Sequence, residues 1–121
     1  MRRDQRGAAT AELALGIPLL VSVTIGLVWL LTIGLAQVRM VDAARETARA
    51  SARGETEAAA VSRGLQVAPG AQVRVARQDA WVVATASDEV APPGGLFGFL
   101  PPVRVHAEAV TELETAGQST P

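Results

Sequence analysis

Between Leu13 and Ala36 the chain runs for 24 residues without a charge, LALGIPLLVSVTIGLVWLLTIGLA. As a helix rising about 1.5 Å per residue this stretch is roughly 36 Å long, enough to cross a hydrocarbon core of about 30 Å. A core helix of so small a protein needs neither that length nor apolar residues on every face. A cleaved secretory signal is the competing reading, because Gly34-Leu35-Ala36 presents small residues just before Gln37. Its apolar region would normally span about 7–15 residues, so a retained membrane span over residues 8–36 is expected instead.

What surrounds this span excludes most chemistry. The chain is 121 residues long with no cysteine, one histidine (His106) and a formal net charge of −1. Disulfides, thiolate metal sites and multi-histidine zinc sites are therefore out of reach. All 11 basic residues are arginine, which removes lysine Schiff-base chemistry, and the near-neutral charge offers nucleic acid no global attraction. Gly94-Gly95 lies between proline pairs and opens no helix, so it is no phosphate cradle. Asp88 and Glu89 point to opposite faces if their strand persists, and His106 falls on the outward face of a strand. No catalytic set, metal site, cofactor or small-molecule substrate is expected.

The entrance to the span is more specific. Met1-Arg2-Arg3-Asp4-Gln5-Arg6-Gly7 precedes Ala8-Ala9-Thr10-Ala11-Glu12, and the apolar run follows. A carboxylate near hydrocarbon is costly and usually has a partner. Its place in the first turns of a helix, where the macrodipole favours an anion, accounts for an acid but not for its register against Gly7. Within the span Ala14, Pro18, Ser22, Gly26 and Gly34 recur at steps of four, with Leu30 filling the gap. Small residues at that spacing admit a second helix, although glycine is also simply common in membrane helices. Pro18 lacks a backbone donor and clashes with the carbonyl of Ala14, so a kink or local loosening is expected there.

Arg6-Gly7 followed by Glu12 resembles the class III signal of type IV prepilins. The wider stretch RGAATAELALGIPLL and the later run VDAARETARASARG at 41–54 resemble the TadE-like family of pilus-assembly proteins. The prepilin pattern often has an aromatic after the glutamate, where this chain has Leu13. The resemblance implies a leader over residues 1–7, cut by a membrane-embedded prepilin peptidase between Gly7 and Ala8. Glu12 then becomes residue five of the mature chain, an assembly contact able to pair with the new α-amino group of a neighbouring subunit. Expected partners are membrane lipid, the peptidase, other pilins or pseudopilins and Tad assembly proteins.

Orientation is not decided by charge, since Arg2, Arg3 and Arg6 face Arg39, Arg45, Arg49 and Arg53 across the span. The resemblance implies a cytoplasmic N-terminus in the inner membrane and an extracytoplasmic remainder. Loss of the leader would move the side-chain charge from −1 to −3.

Beyond the span a helical region is expected over 37–66, with Val41, Ala44, Ala48 and Ala52 as a narrow apolar stripe. Asp42–Arg45 and Glu46–Arg49 are expected ion pairs, and the row Arg45, Arg49, Arg53 reads as a solvated face rather than a docking surface. Gly54 should interrupt the helix, residues 55–62 resume it, and Gly64 and Pro69-Gly70 end it. Strands are expected near 71–77, 81–87 and 103–110, with a turn at Gln78-Asp79, in a small antiparallel sheet over 67–112. Trp81 is counted among its core residues. The loop APPGGLFGFLPP at 91–102 is either an exposed apolar patch for a partner or the membrane surface, or a lid folded over the sheet, and the shortage of aromatics favours the lid. A disordered tail is expected over 113–121. The fold class is α+β: a long N-terminal transmembrane helix continuing into a helix packed on a three-stranded antiparallel sheet, a pilin-like lollipop. Two functions remain, a minor pilin or pseudopilin of a Tad-type pilus, and an uncleaved membrane-tethered binding module or regulator of the cell envelope.

Overall fold

The computed structural model describes residues 2–114; Met1 and the tail 115–121 lie outside the described residues. Helix α1 (Arg2–Ala52) is followed by α2 (Glu57–Val67), then β1 (Gln72–Gln78), β2 (Trp81–Val90) and β3 (Val103–Glu112), with a short 3₁₀ turn at Gly95–Phe97. The strands form one antiparallel sheet in the order β1-β2-β3. The α+β architecture is therefore as the sequence implies.

Helix α1 is a single unbroken element of 51 residues, roughly 77 Å long. It runs through Pro18, one turn after which the Ser22 hydroxyl donates to the Pro18 carbonyl at 2.8 Å. The Gly34-Leu35-Ala36 sequence weighed as a signal cleavage point lies in the middle of this helix.

The helix stops where glycine lets it. Gly54 takes φ +91°, its N–H donates to the Ser51 carbonyl, and the Glu55 N–H donates to the Ala50 carbonyl, both at 3.1 Å. This is the paired closure that a left-handed residue makes possible after a last helical turn. Arg77 of β1 completes the cap from across the molecule. Its guanidinium donates to the Ser51 hydroxyl and carbonyl, each at 3.1 Å, and to the Glu55 carbonyl at 2.8 Å. A cation at the negative end of a helix dipole is favourable. Helix α2 then opens on Thr56, whose hydroxyl accepts from the Ala59 N–H at 3.2 Å.

Two expectations are corrected here. Gly64 does not end α2, which continues to Val67. It is buried where α2 crosses α1, and a Cβ there would collide with the Thr47 hydroxyl while standing 3.1 Å from Val73 and 3.3 Å from the Ala43 carbonyl. Glycine is present for close approach, not as a stop. Among the described residues, the ion pairs Asp42–Arg45 and Glu46–Arg49 are not formed. Glu46 instead reaches Arg53 at 3.9 Å, and Glu55 bridges Arg53 at 3.3 Å and Arg63 at 2.9 Å. Arg63 beside it holds the Glu55 carboxyl below the usual carboxylate range, against a smaller opposing desolvation, and Glu55 in turn raises Arg63.

The sheet follows from alternation. Val82, Ala84 and Ala86 of β2 and Val105 and Ala107 of β3 are buried, while Arg104, His106 and Glu108 between them are exposed. The β1–β2 turn is Asp79-Ala80, one residue later than expected, with Asp79 at φ 53°. Trp81, counted toward the core, is instead about half exposed. Met40, Ala43, Ala44, Ala48 and Ala52 of α1 meet the sheet and its surroundings in two contiguous clusters. The core is built mainly of alanine and valine, so helix and sheet can approach closely.

The free edge of β3 is held by one amide. Gln37 donates from Nε2 to the His106 carbonyl at 2.8 Å and accepts at Oε1 from the His106 N–H at 3.3 Å. A side chain thus supplies what a fourth strand would, which blunts an otherwise open edge.

Candidate functional site

From Leu13 to Leu31 the large apolar side chains of α1 stand in the open: Leu13, Leu15, Ile17, Leu19, Leu20, Leu27, Val28, Leu30 and Leu31 are all exposed. The helix is long and apolar enough to cross a membrane, and no residue of its most apolar stretch is buried. A core helix of a water-soluble domain would have that stretch covered. This one is compatible with a single-pass membrane anchor.

At its entrance, Gly7, Ala8 and Glu12 all lie within α1 and are exposed. The Gly7–Ala8 bond is therefore helical, and Thr10 adds a hydroxyl bond to the Arg6 carbonyl at 2.9 Å across it. A peptidase that cuts an extended chain would have to unwind this turn. Glu12 is exposed and forms no ion pair among the described residues.

The small residues of the span fall into different surroundings. Ala14 and Pro18 are exposed, and Gly34 has open space where a Cβ would stand. Gly26 is different: a Cβ there would lie 3.2 Å from the ring of Phe97. The loop between β2 and β3 folds back along α1, and its Phe97 ring lies 6.5 Å from that of Trp29, inclined at 41°. The loop is no lid on the sheet: Phe97 covers the apolar helix, while Leu96 and Phe99 stay exposed, as the patch reading expects. The register of partly covered residues along α1 (Ser22, Gly26, Trp29, Ile33, Ala36) traces one face at helical spacing. A cleft of about 350 Å³ remains beside the contact, lined by Thr24, Ile25, Val28, Trp29, Thr32, Ala91 and Pro93. The Trp29 indole N–H is buried without an acceptor among the described residues.

Among the described residues no cluster of histidine and carboxylates is arranged to hold a metal. His106 serves through its backbone, as the group that Gln37 grips.

Fold and site together define a helix-stalked α+β protein whose stalk is bare and apolar and whose head is small. Residues 7–49, about a third of the chain, match the family model of TadE-like proteins, so this segment is similar to that family, in line with the sequence resemblance. The matched segment holds the glycine, the glutamate, the whole apolar run and most of the part of α1 that packs on the head. The similarity is to a pilus-associated family of a structural kind. No curated protein and no solved structure is detectably similar.

Proposed function

We propose that this chain is a minor pilin or pseudopilin that acts in the assembly, initiation or anchoring of a Tad-type pilus. The observation that carries the reading is the division of α1. Its first half is apolar and bare, its second half is locked into a head, and Gly7 and Glu12 stand at the open end. In this reading α1 anchors the chain in the inner membrane, with its N-terminus in the cytoplasm and the head outside. Prepilin peptidase removes residues 1–7, Glu12 meets the α-amino group of a neighbouring subunit, and Ala14, Pro18, Ser22 and Gly34 remain for packing against other helices. Two otherwise unpartnered charges in a low-dielectric bundle would make that pairing strongly position-specific.

N-terminal analysis of the chain recovered from membranes tests this directly. A start at Ala8 is expected; an intact Met1 start would favour an uncleaved membrane-tethered module of the cell envelope. Glu12→Ala should hinder assembly or extraction from the membrane while leaving insertion intact, and unchanged assembly would count against the role given to Glu12.

A further inference from the structure

We propose that the loop at residues 91–102 is a second membrane contact, dipping into the outer interfacial layer of the bilayer beside α1. The proposal rests on the anchoring role of α1 and adds the depth at which the head sits.

Composition is the first support. Every side chain from Ala91 to Pro102 is apolar or absent, and the segment has no charge, hydroxyl or amide. A surface loop with nothing polar in it is unusual, because loops normally face water. Irregular backbone is excluded from lipid mainly by its unpaired N–H groups. Here Pro92, Pro93, Pro101 and Pro102 have none. Two of the other N–H groups are satisfied within the turn, from Gly98 to the Gly95 carbonyl and from Leu100 to the Phe97 carbonyl, both at 3.1 Å, and the rest suit the hydrated headgroup layer, not the hydrocarbon.

Placement is the second support. Phe97 turns inward onto Gly26 and Trp29, and this fixes the loop against the apolar run. Leu96 and Phe99 point away from the protein and are 70% and 81% exposed. Through Phe97 they are held at the level of Gly26 and Trp29, within the apolar run of α1.

Depth is the third. Ile33 and Ala36 pack against the head core, as does Val90 at the end of β2. The loop continues from that level to Gly26, seven residues further down α1, or about 10 Å. With the sheet end at the membrane surface, its tip reaches the boundary between headgroups and acyl chains, where amphipathic elements bury their apolar faces by about 5–10 Å. Trp29 then lies at the height where tryptophan is enriched in membrane proteins. The helix from Ala8 to Trp29 is about 33 Å long and still crosses the hydrocarbon.

The absence of native cysteine makes the test clean. Leu20→Cys, Leu96→Cys, Phe99→Cys and Glu108→Cys variants of the full chain are each labelled with a small environment-sensitive fluorophore. They are reconstituted sparsely into vesicles of phosphatidylethanolamine and phosphatidylglycerol. Quenching by nitroxide lipids is compared with quenching by aqueous iodide. The expected result is that labels at residues 20, 96 and 99 lose most of their emission to lipid quenchers. The label at residue 108 should respond to iodide alone. Lipid quenching at 20 combined with iodide quenching at 96 and 99 would overturn the loop proposal and leave the anchor standing. Protection of 96 and 99 from both quenchers would mean that another protein copy covers them, which also overturns it. Absence of lipid quenching at 20 would remove the anchor and the loop contact together.

Discussion

The two halves of α1 have opposite relations between side-chain size and burial. From Leu13 to Thr32 the residues are mostly leucine, isoleucine and valine, and these are exposed. After that stretch, the buried residues are Met40, Ala43, Ala44, Thr47, Ala48, Ala50, Ser51 and Ala52, nearly all small. In water the arrangement would be costly, since burying a leucine or isoleucine is worth about 1.5–3 kcal/mol and a bare row of them forgoes it. It becomes sensible when the first half is solvated by lipid and only the second half has to fold. The head therefore gains stability from close approach of small residues, and the stalk gains it from its surroundings.

The comparison predicts where stability is sensitive. The largest effect is expected at the helix crossing: Gly64→Leu should destabilise the head by about 1–3 kcal/mol or more, because Thr47, Val73 and the Ala43 carbonyl leave no room. Thermal unfolding of the detergent-solubilised chain would register it. Leu20→Ala in the bare half should leave the same transition unmoved. Gly64→Ala should be better tolerated when Thr47 is also alanine, because the two side chains compete for one space. Arg77→Met comes next, with a loss of about 1–2 kcal/mol, since it removes three hydrogen bonds from the end of α1.

The smallest effect is electrostatic. Glu55 has a carboxyl held below its ordinary range in the folded state, so its contribution is present above that range and is lost as pH falls through the lowered value. The cluster is solvent-exposed, so the effect is small. Wild type and Glu55→Gln should differ slightly in melting temperature near neutrality and converge in strong acid. A difference that grew on acidification would contradict the ion pairing.

Local patterns carried most of this fold. Alternation in β2 and β3, the uncharged run, and Gly54 as an interruption are all short-range signals, and each corresponds to an element or a boundary. Contacts between distant segments left no such trace. Gly64 reads as a helix breaker until Thr47 is seen behind it. Arg77 reads as one more exposed strand residue, although it caps a helix that ends 25 residues earlier. Phe97 on Gly26 joins segments about 70 residues apart, and only the glycine's missing side chain hinted that something approaches there. The entrance is the reverse case. Gly7 and Glu12 stand out in the sequence, and the fold leaves both exposed, with no contact inside the described residues that accounts for their spacing.

Alkaline carbonate extraction of cells producing the full-length protein probes the central division of α1 most directly. The chain should remain with the membrane pellet and be released only by detergent. Recovery in the soluble fraction, as a folded species without detergent, would contradict the account.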